Sequence, residues 1–174
     1  MSAVPRRVRA ALASAHAALD ALEAAASRPE RFDARSPVSK WCVGEQLDHL
    51  GQSNALCLGA AALIVAGEDE RIVATGTPTL LGRLVLAVGW IPRGKGRAPD
   101  MTRPVPQTDE PALRAALDDG RRVLTGLEAR AVEVGRSPGR MPHPVLGLFD
   151  AAQWVRFTAV HTRHHLKIVR DIVG

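Results

Sequence analysis

Aromatic scarcity constrains this chain most: three Trp, three Phe and no Tyr occur in 174 residues. Sheets draw on aromatic and β-branched side chains, whereas Ala and Leu pack closely spaced helices. With 46% hydrophobic and 24% charged residues, the chain can still bury an ordinary globular core. That balance excludes a disordered chain, a collagen or a small disulfide scaffold. The length fits one domain, taken as residues 1–174.

Apolar spacing sets the expected elements. Val4, Val8, Leu12, Ala15, Leu19, Leu22 and Ala26 recur at intervals of three and four, predicting an amphipathic helix over 4–27. A second helix is expected from Val43 to Gly67. It is apolar around most of its later turns, as befits a central position. Thr77-Pro78 reads as a cap and first helical residue, opening a short helix that reaches Trp90. Ile91–Pro106 is rich in Pro, Gly and basic residues and is expected to be a mobile loop. Thr108 would cap a helix from Asp109 to Arg130. In the last helix, to Val173, Asp150 caps, Gln153 completes a capping box, and Phe149 staples onto Trp154. Neither strand alternation nor a hairpin signal is visible. The expected fold is all-α, a four-helix bundle with a long crossover carrying a short extra helix.

Charge and cysteines narrow the partners. A formal charge of +5 favours anionic partners, yet the arginines are scattered. The basic loop lacks the aromatic residues on which single strands stack, and no helix-turn-helix or zinc-finger spacing appears, so no nucleic-acid partner is expected. Leu50–Gly67 carries no charge, but Gln52, Ser53 and Asn54 interrupt it. It reads as a core helix rather than a membrane span, with no membrane partner. Arg6, Arg7, Arg9 and His16 likewise break any apolar signal region. Cys42 and Cys57 would lie roughly 22 Å apart on one helix, beyond disulfide reach. A reduced, cytoplasmic protein is therefore expected.

The chemistry concentrates on the last helix. With His161 at zero on a helical wheel, Trp154, Phe157, Thr158, His165, Ile168 and Ile172 fall within about 60°. Arg156, Arg163, Lys167 and Arg170 fall on the opposite side. His161 and His165 thus stand one turn apart in the middle of the expected buried stripe, where both can reach one metal ion. His164 lies at its edge. His49 shares a wheel line with Cys42, Leu56 and Leu63 and can also point inward. His143 sits between prolines in a loop that could overhang a pocket, and His16 reads as surface.

Trp41-Cys42-Val43-Gly44-Glu45-Gln46-Leu47-Asp48-His49-Leu50 resembles the opening of the second helix in DinB-like (YfiT-like) proteins. His161-x-x-x-His165 with Leu166-Lys167 resembles their closing motif. The adjacent His164-His165-Leu166, after His143-Pro144-Val145-Leu146-Gly147, is similar to a DinB-related family of unknown function. The resemblance runs from about residue 4 to the end. It implies a four-helix bundle and a divalent metal, zinc or nickel, held by His49, His161 and His165. Two departures stand out: Cys42 replaces the usual Ser or Thr cap, weakening it, and Ile168 replaces a common Gln after the second His.

A three-His site leaves two classes of function open, the first of them favoured by the resemblance. One is a metal-dependent enzyme, a thiol S-transferase or a hydrolase, acting on a small molecule with a low-molecular-weight thiol as partner. Asp48, Gln52, Arg163 and His164 are candidate helpers. The other is a non-catalytic carrier of a metal or small ligand. Monomer and homodimer both remain open.

Overall fold

The computed structural model describes residues 3–93, 98–106 and 108–174. Six helices carry the fold: α1 (Arg6–Ala26), α2 (Val43–Ala66), α3 (Leu80–Val88), α4 (Glu110–Ala129), α5 (Ala131–Arg136) and α6 (Ala151–Val173). The four long ones form the bundle, with α6 packed between α1 and α2, and α4 against α2 and α1. Alanine makes the α1–α6 approach close: Ala11, Ala15 and Ala18 are buried on one helix, Ala152 and Ala159 on the other. α2 is long and apolar enough to cross a membrane by length and composition alone. In this fold it packs against α4 and α6.

Helix starts follow local chemistry. Asp150 accepts from Gln153 N at 2.8 Å while Gln153 Oε1 accepts from Asp150 N at 2.9 Å, so the expected capping box is present. The staple is present too, with Phe149 and Trp154 edge to face at 5.2 Å. Cys42 caps α2 despite its sulfur: Sγ accepts from Glu45 N, and the Glu45 carboxylate accepts from Cys42 N at 2.7 Å. The reciprocal carboxylate compensates for the weak thiol acceptor.

Other boundaries shift, each for a tertiary reason. Thr79, not Thr77, caps α3, accepting from Gly82 N. Thr79 N also donates to Leu146 O at 2.8 Å, and Pro78 bridges Gly147, so the residues before Thr79 are held extended. Asp109, not Thr108, caps α4. Thr108 instead packs on α2, so closely that a Cβ on Gly44 would meet its Oγ1 at 2.3 Å.

A small hairpin escapes the sequence reading. β1 (Met141–His143) and β2 (Gly147–Phe149) pair antiparallel, Met141 opposite Phe149. Strands of three residues are too short to display alternation. Tertiary contact holds the turn: Gly147 takes φ +87°, and a Cβ there would stand 2.7 Å from Thr79 N. This position requires glycine.

The described parts of the basic crossover touch the long helices. Gly94, Lys95, Gly96 and Arg97 lie outside the described residues. Beyond them, a 3-10 turn at Asp100–Thr102 buries Thr102. Val105 N donates to the Asp48 carboxylate on α2 at 3.0 Å, and Arg93 pairs with Asp171 at 2.6 Å. Polar contacts thus tie the described flanks of this loop to α2 and α6.

Phe149 is fully buried, its ring meeting His143, Trp154 and Phe157. Phe149→Ala is expected to cost about 3–5 kcal/mol, as large-to-small core changes of aromatics do, measurable by urea denaturation. Much smaller loss would mean that the hairpin does not anchor α6.

Candidate metal centre

Two buried arcs meet at the site. On α2 the core face includes Leu47, Leu50, Asn54, Cys57 and Ala61, which leaves His49 near its margin. Of the wheel line expected to carry Cys42, His49, Leu56 and Leu63 inward, Cys42 and His49 are buried, Leu56 is 47% exposed, and Leu63 is partly buried against the core. On α6 the buried arc is wider than expected, extending to Val155, Ala159, Thr162 and Leu166 because α1 covers that side. Hence His161 and His165 lie toward one flank of the arc rather than its middle, beside α2.

There the structure brings together His49, His161 and His165, the three that the resemblance names. One ring nitrogen from each lies within 4.8 Å of the other two, and His49 Nε2 is 3.4 Å from His161 Nε2. The ring centroids are 4.6 Å apart for His49 with His165 and for His161 with His165.

Hydrogen bonds set which nitrogens face inward. His49 Nδ1 donates to the Thr102 carbonyl at 2.7 Å. His165 Nδ1 donates to Gln46 Oε1 at 2.6 Å. The Gln46 amide is itself oriented, because its Nε2 donates to Ser39 Oγ at 2.8 Å. A neutral imidazole has one N–H and one lone pair, so both Nε2 atoms carry the lone pair, that of His49 within 3.5 Å of the Ser53 hydroxyl. His161 differs: its Nδ1 is buried with no hydrogen-bond partner.

Burial keeps these rings uncharged. It pushes His161 and His165 well below the ordinary imidazole range, and the neighbouring imidazoles add to the shift. His49 is also lowered by burial, against opposing effects of the Thr102 carbonyl and Asp48. Neutral rings are the form that ligates a metal. Two nitrogens bound about 2.05 Å from a tetrahedral ion would stand ~3.3 Å apart, close to the observed spacing of His49 and His161. The residues fit a divalent metal.

Trp41 covers the cluster, its ring 5.0 Å from His49 and stacked on His165 at 6.4 Å. Phe157 stacks on His161 at 5.5 Å. Ile168 is buried, so no polar group replaces the Gln that the resemblance would place there.

The other candidates separate. His143 lies in β1 among Phe149, Trp154 and Phe157, and its Nδ1 accepts from Val145 N and Leu146 N. It builds the hairpin turn and does not join the triad. His164 is half-buried and bonds the Ile91 backbone. His16 contacts Glu128 and Arg121 near the surface. Arg163 reaches Ser14 on α1, away from the triad. Asp48 accepts from Gln52 and from Val105 N, which makes it an anchor for the crossover. Both cysteines are free and buried. Burial pushes the Cys57 thiol up to about 12 and raises Cys42, so neither is an activated nucleophile.

Two supporting groups were missed in the sequence. Gln46 stands one turn before His49, and Gln46, His49 and Ser53 form a polar line at spacings of three and four on an apolar helix. That pattern was a usable signal. The Thr102 carbonyl offered none, since any residue supplies one.

Burial lowers His143 to about 4. As pH falls, the unfolded chain takes up this proton first, near its ordinary 6.5, so stability is retained above that value and declines from there toward 4. Urea midpoints measured across this window should fall with pH, and His143→Ala should fall less steeply. Parallel slopes would contradict the assignment.

Comparison with known proteins gives one match. The family model described as the DinB superfamily matches residues 7–169. No curated protein and no solved structure matches.

Proposed function

The chain belongs to the DinB superfamily, and on that footing we propose that it is a divalent-metal protein whose ligands are His49, His161 and His165. The observation that carries this reading is the pair of outward bonds, His49 Nδ1 to Thr102 and His165 Nδ1 to Gln46. They turn the remaining lone pairs toward a common centre, the arrangement by which outer partners orient metal-bound histidines. Zinc suits three neutral imidazoles, and nickel takes the same donors.

The activity we propose is transfer to, or hydrolysis of, a small electrophile, with a low-molecular-weight thiol as co-substrate in the transferase form. Bound there, a divalent ion supplies Lewis acidity and lowers the pKa of a thiol or water. The protein's residues do the positioning. Thr102 and Gln46 hold two rings in one tautomer, while Trp41 and Phe157 wall the cluster with apolar surface. His161 keeps part of its surface accessible, which marks the side from which a ligand could approach. The protein's own thiols are buried and raised in pKa, so a nucleophilic thiol would come from outside. Two free cysteines also suit a reducing, cytoplasmic compartment.

Metal loading should raise the melting temperature, and a chelator should lower it, because ligands distant in sequence converge only in the folded chain. His161→Ala should abolish that difference. No metal by elemental analysis and no chelator effect would remove the proposal.

Gln46→Leu keeps volume but deletes the acceptor for His165. Zinc affinity by calorimetry should fall about 10–100-fold, as with other outer partners of ligating histidines. Turnover of electrophiles with and without thiol then separates the activities. Thiol-dependent turnover selects transfer, thiol-independent turnover selects hydrolysis, and silence in both with metal bound selects a carrier.

A further inference from the structure

The short helix α3 is turned inside out. Its inward side holds Gly82 and Val85, with Leu86 partly buried beside them, whereas Leu80, Leu81, Leu84 and Val88 are 85%, 44%, 55% and 63% exposed. At 100° per residue these four occupy a single arc of about 100°, so the most apolar face of the helix looks outward. Trp90, 58% exposed, follows directly after the Gly89 cap, and Val145 of the adjoining hairpin turn is 65% exposed. The helix cannot roll to hide this face. A Cβ on Gly82 would meet the Leu146 carbonyl oxygen at 2.3 Å, so only glycine lets α3 seat on the hairpin in this rotation.

Charge says what this face meets. From Arg71 to Arg93 the sequence contains no acidic residue. The Arg83 guanidinium bonds only to Pro78 O and Thr77 Oγ1, Arg140 only to backbone carbonyls, and Arg156 only to Leu86 O. Among the described residues none of the three has a carboxylate partner. A second copy docked here by two-fold symmetry would bring Arg83 no acidic partner from residues 71–93. An anionic bilayer answers both features, taking leucines and an interfacial Trp into its surface while its headgroups face Arg83, exposed at the edge of this face.

We propose that the exposed face of α3, with Leu80, Leu84 and Val88 at its centre, Arg83 at its edge and Trp90 just beyond its last turn, docks on anionic phospholipid surfaces. The mode is peripheral. The expectation of no membrane partner rested on a search for spanning segments, and α3, nine residues long, lies on the surface instead.

The test is co-sedimentation of the full chain with vesicles of phosphatidylcholine containing or lacking phosphatidylglycerol. Binding should be at least tenfold stronger with the anionic lipid and should weaken with salt. Trp fluorescence should shift to the blue on binding, and Trp90→Phe should remove the shift. Leu84→Glu, at an exposed position that should leave the circular dichroism unchanged, should lower binding at least tenfold. Absence of binding to anionic vesicles would overturn the proposal, as would equal binding by Leu84→Glu. A concentration-dependent dimer that Leu84→Glu dissolves, without vesicle binding, would overturn it in favour of self-association.

Discussion

A buried imidazole must stay neutral, and its single N–H must find an acceptor; three such rings side by side make this demand severe. The structure meets it for two of them by reaching outward. His49 uses the carbonyl of Thr102 in the crossover, and His165 uses Gln46, one turn before His49 on α2. Each solution recruits further structure. Thr102 is presented by a 3-10 turn whose chain is tied through Val105 N to Asp48. Gln46 is oriented by Ser39, which also accepts from Trp41 N. The start of α2 and the far end of the crossover are thus organised around two N–H groups.

The same economy leaves residues unsatisfied. His161 Nδ1, Trp154 Nε1 and Asn54 Nδ2 are buried without partners, each costing about 1–3 kcal/mol if it stays so. All three lie on α2 or α6, the helices that supply the histidines. Asn54 does accept from Thr162 across the same helix pair at 3.1 Å. A metal ion would take up the inward lone pairs of the triad, and these three groups would stay as they are. Stability and site are coupled here through α6, packed between α1 and α2.

α3 shows the opposite economy. Where the triad spends polar groups inside, α3 spends apolar groups outside, and Gly82 holds it so. Ile91, just beyond α3, meets His164, the neighbour of His165. The exposed patch and the buried centre therefore join through a short stretch of chain.

Much of this was legible in the residues themselves. Helical spacing, the Asp150–Gln153 box and the Phe149 staple are local, their partners lying within a few residues, so sequence alone determined the long helices and the start of α6. The His161–His165 interval placed two imidazoles on one face for the same reason, and the paired motifs around His49 and His165 pointed to the third. What only the tertiary structure decided depends on chain segments far apart. Which margin of each helix faces its neighbour, the shifted caps at Thr79 and Asp109, the hairpin at Met141–Phe149 and the outward roll of α3 all follow from backbone meeting distant backbone. The tautomers at the triad belong there as well: a carbonyl at Thr102 carries no signature in sequence, and only folding brings it within 2.7 Å of His49 Nδ1.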